Sequence, residues 1–165
     1  MQTIEVLDIK QFMQLLFQTN ALDSYEFISA SIRTDMTYNL DGHINKEFFT
    51  PDELEQMNTN ESLYLFWHTA KEKVFQLIKG KKTPSQLKIV LKLSENGTCS
   101  LLESTHSTLS TMDIDGMFLN ILFQHDKLTI VCGISYKIFT LDKNLENEFT
   151  TSISSLLKGA SITCQ

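Results

Sequence analysis

A lysine-rich pentapeptide, four histidines and a handful of carboxylates carry whatever chemistry this 165-residue chain can do. Lys79-Gly80-Lys81-Lys82-Thr83 invites comparison with a phosphate loop, whose GxxxxGK[ST] pattern sets backbone amides and one lysine around phosphates. The match fails: the first glycine would fall at Phe75, Lys82 takes the Ser/Thr position, and the segment follows a helix pattern instead of a strand. What remains is three cations, Lys79, Lys81 and Lys82, at a helix end, where they favour the negative pole of the dipole and could meet an acidic partner. Asp113-Ile114-Asp115-Gly116 looks like the start of a calcium loop, but Gln124 stands where the bidentate glutamate belongs. The same residues lack the downstream threonine of an aspartate-nucleophile phosphotransferase, and a turn accounts for them. His68 and Glu72 are four apart on the polar side of a helix, without an HExxH pattern, and read as a solvent-facing pair.

His43, His125 and Asp126 stand beside turn signals, so they are the exposed polar residues from which a hydrolase or transferase site would have to be assembled in space. His106 falls in a Ser/Thr-rich segment. No GxSxG occurs, and the spacing offers no cofactor fingerprint and no metal-ligand set. Cys99, Cys132 and Cys164 are odd in number, widely spaced and without a CxxC pair, which reads as reduced structural thiols. Tyr64, Trp67 and Phe48-Phe49 recur at helix and strand periods and read as core more readily than as stacking platforms. Asn60-Glu61-Ser62 and Asn96-Gly97-Thr98 match the glycosylation sequon but carry no weight inside a cell.

These residues need a scaffold, and 165 residues suffice for one domain that buries about 68 to 70% of the surface its unfolded chain exposes. Hydrophobic content of 42%, 2 prolines and 6 glycines suit a globular protein without long disorder. The formal charge of -6 disfavours nucleic acid and anionic membranes as whole-molecule partners, unless a local basic patch overrides it. Glu5 and Asp8 interrupt any signal peptide. Residues 63–67, the densest apolar cluster, fall far short of the roughly 20 a membrane helix needs. The expectation is a cytoplasmic protein.

Period-two alternation is strongest over residues 117–142, which predicts a three-strand meander broken at His125-Asp126-Lys127 and at Gly133. Residues 2–7 read as a strand. Ile9, Phe12, Met13 and Leu16 then form a helical stripe behind Asp8 as cap. Residues 28–33 and 36–40 alternate as strands, with Asp41-Gly42 as a hairpin turn into a strand bearing Ile44, Lys46 and Phe48. Thr50-Pro51-Asp52-Glu53 is a capping box opening a short acidic helix. After a polar break at residues 58–60, a helix over 63–78 carries Trp67, Ala70, Val74 and Leu77 on one stripe, ending at Gly80 as a left-handed cap. Residues 87–93 alternate, and Asn96-Gly97 predicts a second hairpin into residues 99–102. Residues 104–115 read as a loop, Asp142 caps a last helix, and residues 160–165 read as a frayed tail. The fold class is therefore α+β: a largely antiparallel sheet of two hairpins plus the meander, packed with three to four helices in a single domain over residues 1–165. Phe118, Leu122, Val131 and Phe139 make the second face of the meander apolar as well, so a helix, another sheet or a partner must cover part of it. Each half offers antiparallel strands followed by a helix, a loose similarity without a fixed period.

FQLIKGKKTP from Phe75, FLNILF from Phe118, FTLDKNLE from Phe139 and YNLDGHINKEFF from Tyr38 resemble a family of uncharacterised proteins, a domain of unknown function, from clostridial Firmicutes. The resemblance covers nearly the whole chain and implies a bacterial cytoplasmic protein, with no functional residue to transfer. The order of strands and helices is also similar to one domain of a DNA sliding clamp, although the helix beginning at Pro51 is acidic where a clamp sets basic helices on DNA. The reading is a noncatalytic binding or protein-interaction module, whose partner is another protein or a second copy. An enzyme with a spatially assembled site and a clamp-like nucleic-acid-associated protein are the alternatives.

Overall fold

The structure is a computed structural model that describes residues 2–57 and 62–165. The polar break expected at residues 58–60 and part of the first sequon lie outside the described residues. The strands are β1 (Gln2–Val6), β2 (Glu26–Arg33), β3 (Thr37–Asp41), β4 (Gln86–Lys92), β5 (Ile114–Gln124) and β6 (Lys127–Tyr136). Among the described residues the helices are α1 (Ile9–Gln18), α2 (Pro51–Gln56), α3 (Trp67–Ile78), α4 (Glu95–Ser104) and α5 (Asn144–Gly159). The strands form one open antiparallel sheet in the order β1-β6-β5-β4-β2-β3. The fold is α+β as expected, with five helices among the described residues where three to four were expected.

One face of the sheet presents Ile4, Ala30, Ile32, Ile89, Leu91, Met117, Leu119, Ile121, Leu128 and Ile130, all buried. Helices α1, α3, α4 and α5 supply its cover through Phe12, Leu16, Trp67, Val74, Leu102, Phe149 and Leu157, which belong to the same core. Trp67 is fully buried, and its indole N–H donates to the Leu16 carbonyl at 2.9 Å, so the core's largest ring brings its polar atom a partner. The stripes of α1 and α3 were legible because a helix repeats its apolar face every three to four residues. Thr50 forms the expected capping box with Glu53 at the start of α2.

Several local expectations are corrected. Asp41-Gly42 is not a turn: Gly42 donates to the Ile28 carbonyl at 2.9 Å, and the β2–β3 connection is Thr34-Asp35-Met36. Residues 46–48 form a 3-10 turn and not a returning strand. Helix α3 begins at Trp67 and not at residue 63, because the Leu65 N–H donates to Gly42 O while its carbonyl accepts from the Phe27 N–H. It ends on Lys79 in extended conformation, without a left-handed Gly80.

Asn96-Gly97 lies in the first turn of α4, with the Ser94 hydroxyl accepting from the Gly97 N–H, so the second hairpin is replaced by a helix. The three-strand meander is a hairpin of two long strands. His125 and Asp126 take positive φ of 51° and 59° at its two-residue turn, and residues 137–143 leave the sheet. The tail is not frayed. Ile162 is buried, Val6 bridges Cys164, and Glu5 and Gln165 exchange backbone hydrogen bonds of 2.7 and 2.8 Å along the outer edge of β1.

Candidate functional site

The uncovered face of the sheet ends in a rung that pairs Glu26 with Lys92, Lys92 with Phe118, and Phe118 with Gly133. Register alone puts a carboxylate and an ammonium side by side here. The Glu26 residue is only 8% exposed, and its Oε2 lies 3.9 Å from Lys92 Nζ. Among the described residues its carboxylate has no hydrogen-bond donor, and its ion-pair contact is the long one to Lys92. Gly116 makes room for this arrangement: a Cβ there would meet Lys92 Cε at 2.7 Å and the Phe118 ring at 2.9 Å. After Leu93, whose N–H donates to Met117 O, the chain turns into α4 and carries Glu95 and Asn96 up beside Glu26.

Two clefts share Glu26 and Glu95. One of about 310 Å³ is also lined by Lys92, Met112, Asp115 and Lys137. The other, of about 530 Å³, is lined by Ser24, Phe66, His68, Ser94 and Asn96 and contains no lysine or arginine. The Phe66 and His68 rings stack nearly parallel, 8° apart with centroids 5.9 Å apart, as one wall of it. A third cleft of about 420 Å³ lies at the same end of the sheet, between Val90, Phe118 and Asn120 and the segment bearing Tyr136, Thr140 and Lys143. The buried Tyr136 hydroxyl has no hydrogen-bond partner among the described residues. Burial pushes that phenol up, and the Glu146 and Asp142 carboxylates push it the same way.

The lysines and histidines singled out in the sequence lie elsewhere. Lys79, Lys81 and Lys82 are exposed on the loop entering β4 at Gln86, and Gln86 sits in a rung with Arg33, Gln124 and Lys127. His125 and Asp126 are at that same end. His43 is at the other, just past the pairing of Asp41 with Ser29, its Nδ1 2.6 Å from Asp41 Oδ1 and its ring against Tyr64. Four residues of β2 separate the levels of Ser29 and Arg33, roughly 13 Å of strand, so His43 and His125 are not brought together. His68 and Glu72 are both exposed. Asp113 caps a 3-10 turn through Ser110, whose N–H and hydroxyl bonds hold its carboxyl below the usual range, while Asp115 lies near Ser135. Among the described residues no three His, Cys, Asp or Glu side chains could hold a metal ion. All three cysteines are free, and burial pushes the Cys132 thiol up to about 11, which keeps it protonated and unreactive.

Lys92 and Tyr136 were missed because each looks like an ordinary member of an alternating run, and Glu26 because it precedes the run read at residues 28–33. Their only signal was a charge or hydroxyl near a strand end, and that carries no meaning until the register is known.

Fold and clefts together define an α+β protein with one helix-covered and one open sheet face, and with polar clefts gathered at one sheet end. The chain belongs to a family of unknown function, DUF5721, whose model matches residues 14–165. Comparison with curated proteins and with solved structures gives no match. Among the described residues no helix is long and apolar enough to cross a membrane.

Proposed function

We propose that the protein is a noncatalytic interaction module that docks a protein partner at the sheet end carrying Met112, Ile138, Phe139 and Leu141. One observation carries this reading. These four apolar side chains stand exposed, Phe139 at 88%, on two segments tied together by the Lys137 N–H to Asp113 carbonyl bond of 2.8 Å. Scattered apolar residues are common on a protein surface, but apolar side chains grouped beside polar clefts fit the anatomy of a binding surface, an apolar centre with a polar rim. The expected cover over the second sheet face is partly replaced by this arrangement: Phe118, Leu122 and Val131 are half-buried within the sheet, whereas Phe139 is outside it.

The alternative of a hydrolase or transferase built from His43, His125 and Asp126 gains no support from their placement. The test of the interaction reading is the triple variant Met112→Asp, Phe139→Asp, Leu141→Asp. Stability should change by less than about 0.5 kcal/mol per site, because none of the three is packed. Proteins recovered with the wild-type chain should be lost with the variant. Equal recovery would count against the surface, and self-association of the wild type abolished in the variant, read by sedimentation, would reassign the occupant to a second copy.

A further inference from the structure

We infer that the 530 Å³ cleft between Glu26 and Glu95 receives a cationic side chain, an arginine or lysine of the docked partner, stacked on the Phe66–His68 wall. The inference rests on the interaction reading above and names the chemistry of its partner. Charge complementarity carries it. Two carboxylates line the cleft and no lysine or arginine does. Glu26 is buried, and its one ion-pair partner among the described residues, Lys92, lines the neighbouring cleft and stays 3.9 Å away. No hydrogen-bond donor among the described residues reaches the Glu26 carboxylate, and a guanidinium entering the cleft would supply two directed N–H bonds. Glu95 lies in the first turn of the ten-residue α4 and lines the same cleft. The stacked rings offer a flat π surface of the kind on which guanidinium groups lie. The cleft is large enough for one such side chain and open enough for it to arrive on a polypeptide.

The test uses the full chain and three probes: a blocked Gly-Arg-Gly peptide, the same peptide with citrulline in place of arginine, and 1,4-diaminobutane. Binding is followed by NMR shifts of the aromatic side chains and by calorimetry. The arginine peptide should saturate the cleft and perturb Phe66 and His68, and the neutral citrulline peptide should bind about tenfold more weakly or worse. Glu26→Gln and Glu95→Gln should each cost a similar factor, while Glu103→Gln, elsewhere on α4, should change nothing. Because Glu95 is exposed, its variant tests the site even if Glu26→Gln disturbs folding. Equal binding of the citrulline peptide, or undiminished binding by both Gln variants, overturns the inference. Diamine binding as tight as the arginine peptide overturns the assignment to a partner's side chain. A neutral version of the surface variant, Met112→Ser, Phe139→Ser, Leu141→Ser, should bind the arginine peptide like the wild type, so failure of the cleft and failure of the docking surface are read separately.

Discussion

At Gly42 the carbonyl oxygen of Phe27 lies 1.8 Å from where a Cβ would stand, and the Phe27 carbonyl carbon lies 2.7 Å away. Both obstacles are backbone, so no side chain can swing aside. Gly42→Ala should therefore destabilise by roughly 3 kcal/mol, at the upper end of overpacking costs, read as a lowered denaturation midpoint. Gly80 is the internal contrast, with nothing within 4 Å and no positive φ. Gly80→Ala should be neutral or slightly stabilising, since it only restricts the unfolded chain. Asp-Gly in the sequence pointed to a turn, yet the glycine is needed for close approach. A dipeptide reports tolerance of unusual backbone geometry and is silent on Phe27, far back along the chain. Trp67 shows the same division, since its place in an apolar stripe follows from periodicity while the Leu16 carbonyl that accepts its N–H does not.

Elements differ in how far their own sequence decides them. Helix α2 starts where Thr50 and Glu53 say it should, because a capping box is closed within four residues. Helix α4 contradicts its Asn-Gly signal, because Ser94 caps it and Thr98 and Leu102 find burial. The C-terminal segment depends wholly on a remote element: the Thr163 N–H donates to Asp8 Oδ2 at 2.7 Å, and Leu7 donates to Thr163 O. That backbone N–H lowers the Asp8 pKa from its ordinary value of 3.8. A depressed folded-state value means that the contribution is complete above about 3.8 and is lost as pH falls through the lower folded value. Hydrogen-exchange protection of the Thr163 and Gln165 amides should therefore decline in that acid window, and Asp8→Asn should remove the pH dependence. Constant protection across the window in the wild type would take Asp8 out of this role.

Across the whole molecule the two ends of the sheet differ in charge. Arg33 and Lys127 flank Gln86 and Gln124 in one rung, beside the loop of Lys79, Lys81 and Lys82, while Glu26, Glu95 and Asp115 gather about 20 Å away along β4. The basic end is the local exception to a net charge of -6. It should hold the chain on a polyanion such as immobilised heparin at low salt, where screening is weak. Reversing Lys79, Lys81 and Lys82 to Glu should abolish retention with little effect on stability, since all three are exposed. Unchanged elution would remove this patch as a site for an acidic partner. Which faces of α1, α3, α5 and the strands turn inward was legible in the chain itself, because apolar periods of two and 3.6 act within one element. The strand order, the fate of each turn signal, the docking of the C-terminal residues and the meeting of Glu26 with Lys92 came from the folded arrangement alone. Those depend on pairing between residues far apart in the chain, and no local pattern carries that register.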